Sequence, residues 1–265
     1  MKKLRRTMAM LLSLLMIGMF MGCAGKESDP IEVMEAAQQK NSQLTSSDLT
    51  MTMDMAFSTS GLTMDMALDM DCKAVGSGED TQLAMTGNVS AMGMELPMEM
   101  YYTDGYMYTN VLEQKVKQAM SLENAEEQIM TISSIGPLPQ EAYKSLTMEE
   151  DGDNQVISFT ADGTQMTDLV TNLLSQFENQ LGENGTYTIG DVTGTLTVNG
   201  DGYVASETLS IPLTMTVPDM GDMEMTMDCA ITNHNPGQEV TISFPDFSDY
   251  IETDLSDVSE IPGNT

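Results

Sequence analysis

Residues 62–72 read LTMDMALDMDC. Leu62, Met64, Met66, Leu68, Met70 and Cys72 alternate with Thr63, Asp65, Ala67, Asp69 and Asp71. A near copy, DMGDMEMTMDC, ends at Cys229. Two readings compete. One is a ladder of thioether ligands for a soft metal; the other is one greasy face of a β-strand, because alternate residues of a strand share a face.

The flanking sequence favours the strand. Met51, Met53, Met55 and Phe57 keep the same period of two, and so do Leu83, Met85 and Val89. Met92, Met94, Leu96, Met98 and Met100 continue it, with Pro97 on the polar side. Leu62, Leu68, Leu83, Leu96, Leu213 and Ile231 share this phase with the methionines. A buried face mixes Met with Leu and Ile freely, whereas a metal ladder has no need to. YYTDGYMYTN follows as a hairpin turning at Asp104-Gly105, and VLEQKVKQAM reads as a further strand. Methionine has lower strand propensity than Val or Ile. Its flexible thioether adapts to several shapes, so a Met-rich face suits an adaptable apolar cavity better than a rigid core.

Helical spacing appears in three places. Asp29 and Pro30 open IEVMEAAQQKNSQL as cap and first residue, and this helix runs toward Thr45. Leu122, Ala125, Ile129 and Ile132 mark a second helix over 121–134. GPLPQEAYKSL reads as a loop and short helix, then QVISFTADG as a strand. Thr164 to Leu181 carries a broad apolar stripe that includes Met166, Leu173 and Phe177. The last third returns to strands over 186–198, 203–217, 223–233 and 239–244.

The N-terminus has a basic cluster, Lys2, Lys3, Arg5 and Arg6, then an apolar run from Met8 to Met21 that ends at Gly22-Cys23. This is the pattern of a secretory leader closing on a lipobox, with Cys23 as the lipidated residue. The expected organisation is a signal peptide over 1–23, a tether over 24–30, one domain over 31–250 and an acidic flexible tail over 251–265. The expected location is the outer face of a bacterial cell membrane, with the chain held there by its lipid anchor.

The chain has 41 acidic and 10 basic residues, a net charge of −31. Such a surface repels nucleic acid. DGDNQ at 151–155 and NGDG at 199–202 resemble calcium loops in composition, but they sit where hairpin turns are expected and lack EF-hand spacing. No nucleophile elbow, phosphate loop or zinc signature is present, and the sole histidine, His234, sits in a turn. The reading is therefore a non-enzyme with no cofactor and no metal. Cys72 and Cys229 either pair as a disulfide or remain two buried thiols.

The order of these segments resembles the LolA/LolB and LppX/LprG superfamily of extracytoplasmic lipoprotein carriers, and uncharacterised Gram-positive lipoproteins of that pattern. The resemblance rests on the lipobox, the DPIEVMEAAQQKNSQL helix, the meander into MEMYYTDGYMYTNV, the helical middle and the close at VTISFPDFSDY. It implies an α+β fold: a strongly curved antiparallel β-sheet, an unclosed barrel, with helices on the concave side. It also implies a hollow that receives acyl chains. The expected function is binding or carrying a lipid or other apolar small molecule. The expected lining is Met53, Met55, Met64, Met66, Met94, Met98, Met223, Met225 and Met227, covered by Leu173 and Phe177. The alternatives are a structural or interaction module of the cell envelope and a Met/Cys copper-binding protein.

Overall fold

The structure, a computed structural model, describes residues 29–59, 62–122, 124, 138, 140–166, 186–217 and 221–253. The leader with Cys23, nearly all of the helix expected over 121–134, and Leu173 and Phe177 lie outside the described residues.

Asp29 caps helix α1 (Pro30–Asn41), its carboxylate accepting from the Ile31 amide at 3.0 Å. The helix ends short of the expected boundary, and β1 (Ser46–Thr59) begins at once. The strands that follow are β2 (Leu62–Val75), β3 (Gln82–Ala91), β4 (Met94–Thr103), β5 (Tyr106–Val111) and β6 (Gln114–Ala119). Further along come β7 (Tyr143–Asp151), β8 (Asn154–Ala161), β9 (Thr186–Ile189), β10 (Val192–Val198), β11 (Val204–Val217), β12 (Gly221–Asn233) and the short β13 (Ile251–Glu252).

These form one open, curved sheet in the order β13-β6-β5-β4-β3-β2-β1-β12-β11-β10-β8-β7, with β9 paired to the far end of β11. It is antiparallel except where β13 runs parallel to β6. Among the described residues the buried apolar side chains fall into clusters along the sheet. The expected curved, unclosed antiparallel sheet is what the chain forms. The described helix packs Met34 and Ala37 onto Leu196, Val198 and Val204, on the apolar side of the sheet.

Four local expectations are corrected. VLEQKVKQAM is not one strand: Leu112 and Glu113 both take positive φ, 52° and 65°, and turn the chain from β5 into β6. The short helix expected within GPLPQEAYKSL is confined to one 3-10 turn, Gln140–Ala142, and from Tyr143 the chain is strand β7, because Leu146 and Met148 align with Phe159 and Ile157 of β8. The strand expected over 186–198 breaks at Gly190-Asp191. It breaks opposite Pro212, which has no N–H to give a ladder, while the Gly190 amide still donates to the Pro212 carbonyl at 2.8 Å.

Residues 239–244 form no strand. Both sides of β12 are already taken, by β1 and β11, so the chain leaving it meets no free edge. It crosses the polar face instead. Phe244 and Phe247 pack on Tyr101 with ring centroids 6.1 and 5.7 Å away, and the chain reaches β6 as β13. Ile251 and Glu252, at the start of the expected tail, are therefore paired to Val116 and Lys117.

Candidate functional site: the methionine face of the sheet

Strand register turns the sequence alternation into rungs that cross the sheet. One rung runs Met98, Gly87, Met70, Met51, Ile231, Glu207, Leu196, Ile157, Met148. The next runs Leu96, Val89, Leu68, Met53, Cys229, Leu209, Gly194, Phe159, Leu146. A third joins Met94, Ala91, Met66, Met55, Met227 and Ile211, and a fourth Met64, Phe57, Met225, Leu213 and Ile189. Methionine occupies the middle strands, and β-branched and aromatic residues are interleaved. Gly87 lets Met70 lie across it: a Cβ there would sit 2.8 Å from the Met70 sulfur.

The expected lining residues divide by depth. Met55, Met225 and Met227 are buried in one cluster with Ile211 and Leu213, and Met53, Met66 and Met223 are partly buried against it. Met64 is half-buried beside Phe57. Met98 belongs to a separate cluster built on Met51, Met70 and Met85. Met94 stands at a hairpin tip, 60% exposed.

Glu207 is the one charged residue in these four rungs. It lies between Leu196 and Ile231 and is half-buried. Burial pushes its carboxyl up to about 7. Among the described residues it has no hydrogen-bond or ion-pair partner, and Tyr143 and Cys229 feel its charge. The sequence reading missed it. The signal was its phase, shared with Leu209, Ile211 and Leu213, which places a carboxylate where apolar side chains point.

Cys72 and Cys229 are both free. They flank β1 on opposite sides, Cys72 opposite Leu49 and Cys229 opposite Met53. That offset puts their Cα atoms roughly 16 Å apart, more than twice the reach of a disulfide. Of the two alternatives left open by the sequence, the structure has the separate thiols, and their sulfurs do not converge on one point. Burial, with Asp71 beside Cys72 and Asp228 beside Cys229, pushes each thiol up to about 11. Among the described residues no group of three or more His, Cys, Asp and Glu is placed to hold a metal ion.

The polar face carries a groove of about 530 Å³ across β1, β12, β11, β10 and β8. Hydroxyls of Thr52, Ser158, Thr193, Thr195, Thr208 and Ser210 line it, with the carboxylates of Asp54 and Asp228. His234 holds the Thr50 hydroxyl at 2.7 Å, and that hydroxyl donates to Asp71 at 3.0 Å. No helix among the described residues is long and apolar enough to cross a membrane.

The model of a family of unknown function (DUF6612) matches residues 29–246. A search of curated proteins finds no match. Among solved structures, the ywiB protein from Bacillus subtilis is similar at 6% identity over 74% of this chain and 99% of that one, with a TM-score of 0.22. A putative outer membrane lipoprotein-sorting protein domain from Vibrio parahaemolyticus is similar at 10% identity, 79% and 94% coverage and TM-score 0.23. A β-barrel-like protein of a domain of unknown function (DUF1849) from Brucella abortus gives 11%, 71%, 98% and 0.22. Scores this low carry no argument about this chain.

Proposed function

The chain belongs to a family of unknown function (DUF6612), and for this member we propose a membrane-anchored surface lipoprotein that binds or carries a lipid or another apolar molecule on its methionine face. The observation that carries this reading is the make-up of the rungs. Met53, Met64, Met66 and Met223 sit mid-sheet in the apolar phase and are only partly buried. A rigid core gains from side chains with well-defined rotamers, which Val and Ile supply and Met does not. A face that must fit changing apolar shapes gains from unbranched, polarisable ones.

The lipobox ending at Cys23 supports the anchor, and the segment order shared with LolA-type carriers supports the ligand class. The role is binding and not catalysis. Native mass spectrometry of the chain from residue 24, purified without detergent, tests it. A co-purifying adduct of lipid mass is the expected outcome. A bare chain mass, unchanged after incubation with phospholipid, would leave the face a plain core and remove the proposal.

A further inference from the structure

Glu207 places one carboxylate in an apolar grid, and among the described residues no cation is left to meet it. Beyond residue 26 the sequence contains five lysines and no arginine. Each lysine is committed elsewhere. Lys40 bonds the Asp201 carbonyl and lies over the Tyr203 ring, 4.1 Å from its centroid. Lys73 pairs with Asp48 at 3.3 Å, Lys115 with Asp249 at 4.0 Å and Lys117 with Glu252 at 3.0 Å. Lys144 bridges Asp162 and Asp191. The one imidazole is held by Thr50.

The surroundings of Glu207 are apolar or acidic. Leu196 and Ile231 flank it across the strands, and α1 packs Met34 and Ala37 over its neighbours Leu196 and Val204. The titratable groups around it are Tyr143 on β7, Cys229 on β12 and, through Tyr143, Glu35 on α1. None carries positive charge. An isolated carboxylate in such a place either takes up a proton or waits for a cation from outside.

We propose that Glu207 is the polar anchor of the methionine face and that its ligand is a cationic amphiphile, an alkyl or acyl chain ending in an amine. The ammonium meets the carboxylate while the chain lies along the methionine rungs. This rests on the reading of that face as a ligand site. An anionic headgroup is disfavoured by the same carboxylate and by a net charge of −31. Because burial holds the carboxyl near 7, the proton is the amine's competitor. Amine binding weakens below that pH and releases a proton when it occurs.

The test is a calorimetric titration of the chain from residue 24 with decylamine, decanol and decanoate, each below its micelle concentration, at pH 8. We expect decylamine to bind about tenfold or more tighter than decanol, the margin of a charge-assisted contact. Glu207→Gln should keep decanol binding and lose the preference. Glu224→Gln removes an equal charge from an exposed position on the polar face and should leave the preference intact. Binding of decanol or decanoate as tightly as the amine overturns the headgroup assignment. A preference that survives Glu207→Gln overturns the role of Glu207. No binding of any of the three overturns the ligand-site reading itself.

Discussion

The rings of Tyr108 and Phe247 stack with centroids 3.8 Å apart and planes 15° from parallel. The pair ties the C-terminal crossing segment to β5 on the polar face of the sheet. Tyr101 and Tyr250 meet Phe247 at 5.7 and 5.3 Å, and β13 then pairs with β6. Phe247→Ala removes the centre of this cluster. We expect a loss of about 2 kcal/mol in urea unfolding, the scale of a half-buried aromatic with its ring contacts. Hydrogen exchange should show the Thr253 amide, which donates to the Lys117 carbonyl, losing its protection along with the β6 edge. A destabilisation confined to the crossing segment, with β6 unaffected, would disconnect the two.

Glu207 makes stability depend on pH in a direction that can be worked out. Its carboxyl is raised from 4.5 to about 7 in the folded chain. Below pH 4.5 it is protonated in both states and costs nothing. Between those values the folded state holds the proton longer than the unfolded one, so stability falls as pH rises and stays low above 7. Glu207→Gln lacks this titration. The variant should match the natural chain near pH 4 and exceed it by about 2 kcal/mol at pH 8, after discounting for partial burial. Chemical denaturation at both pH values gives the difference, and a constant difference would rule the titration out.

The two thiols should be slow and separate. With each pushed up to about 11 by burial, little thiolate exists at pH 8. A chromogenic disulfide reagent should label the folded chain from residue 24 slowly and take up two equivalents at once in denaturant. Mild oxidation should leave the mass of an intact dithiol. A rapid loss of two hydrogens would mean that the strands carrying Cys72 and Cys229 approach each other.

Gly87 is a packing requirement. A Cβ at this position would stand 1.9 Å from the Asp69 carbonyl oxygen and 2.8 Å from the Met70 Cα. Backbone cannot yield as a side-chain end can. Gly87→Ala should cost about 2 kcal/mol or more by overpacking, seen as a lower urea midpoint. Ser90→Ala, three residues along β3 toward its hairpin tip, should be nearly silent.

Asp54 and Asp228 stand directly opposite each other on β1 and β12, both exposed. Like charges in that relation destabilise a sheet. Asp228→Asn should raise stability by about 0.5 kcal/mol at low salt, and the gain should fade as salt screens the pair. A gain independent of salt would assign the effect to something other than charge.

The period of two and the shared phase of Met, Leu and Ile were enough to establish the strands and their apolar side. Asp29-Pro30 marked the start of α1, and Asp104-Gly105 marked a hairpin. These are local facts, written in steric alternation, capping and turn chemistry, and they need no partner to be legible. What each strand faces is different. It depends on which neighbour is free when the chain arrives. That is why 239–244, with a strand-like pattern, found no edge and became a crossing segment, and why Ile251 and Glu252 joined β6. The same holds for Cys72 and Cys229. Their matching sequence context suggested a pair, but register placed them on opposite sides of β1 and four residues out of step. It holds most of all for Glu207. Its strand phase was legible from one segment, but its isolation was not. Only the assembled sheet, with every described lysine engaged elsewhere, leaves that carboxylate without a counter-charge among the described residues, because counter-charge is a property of neighbours in space and not of neighbours in sequence.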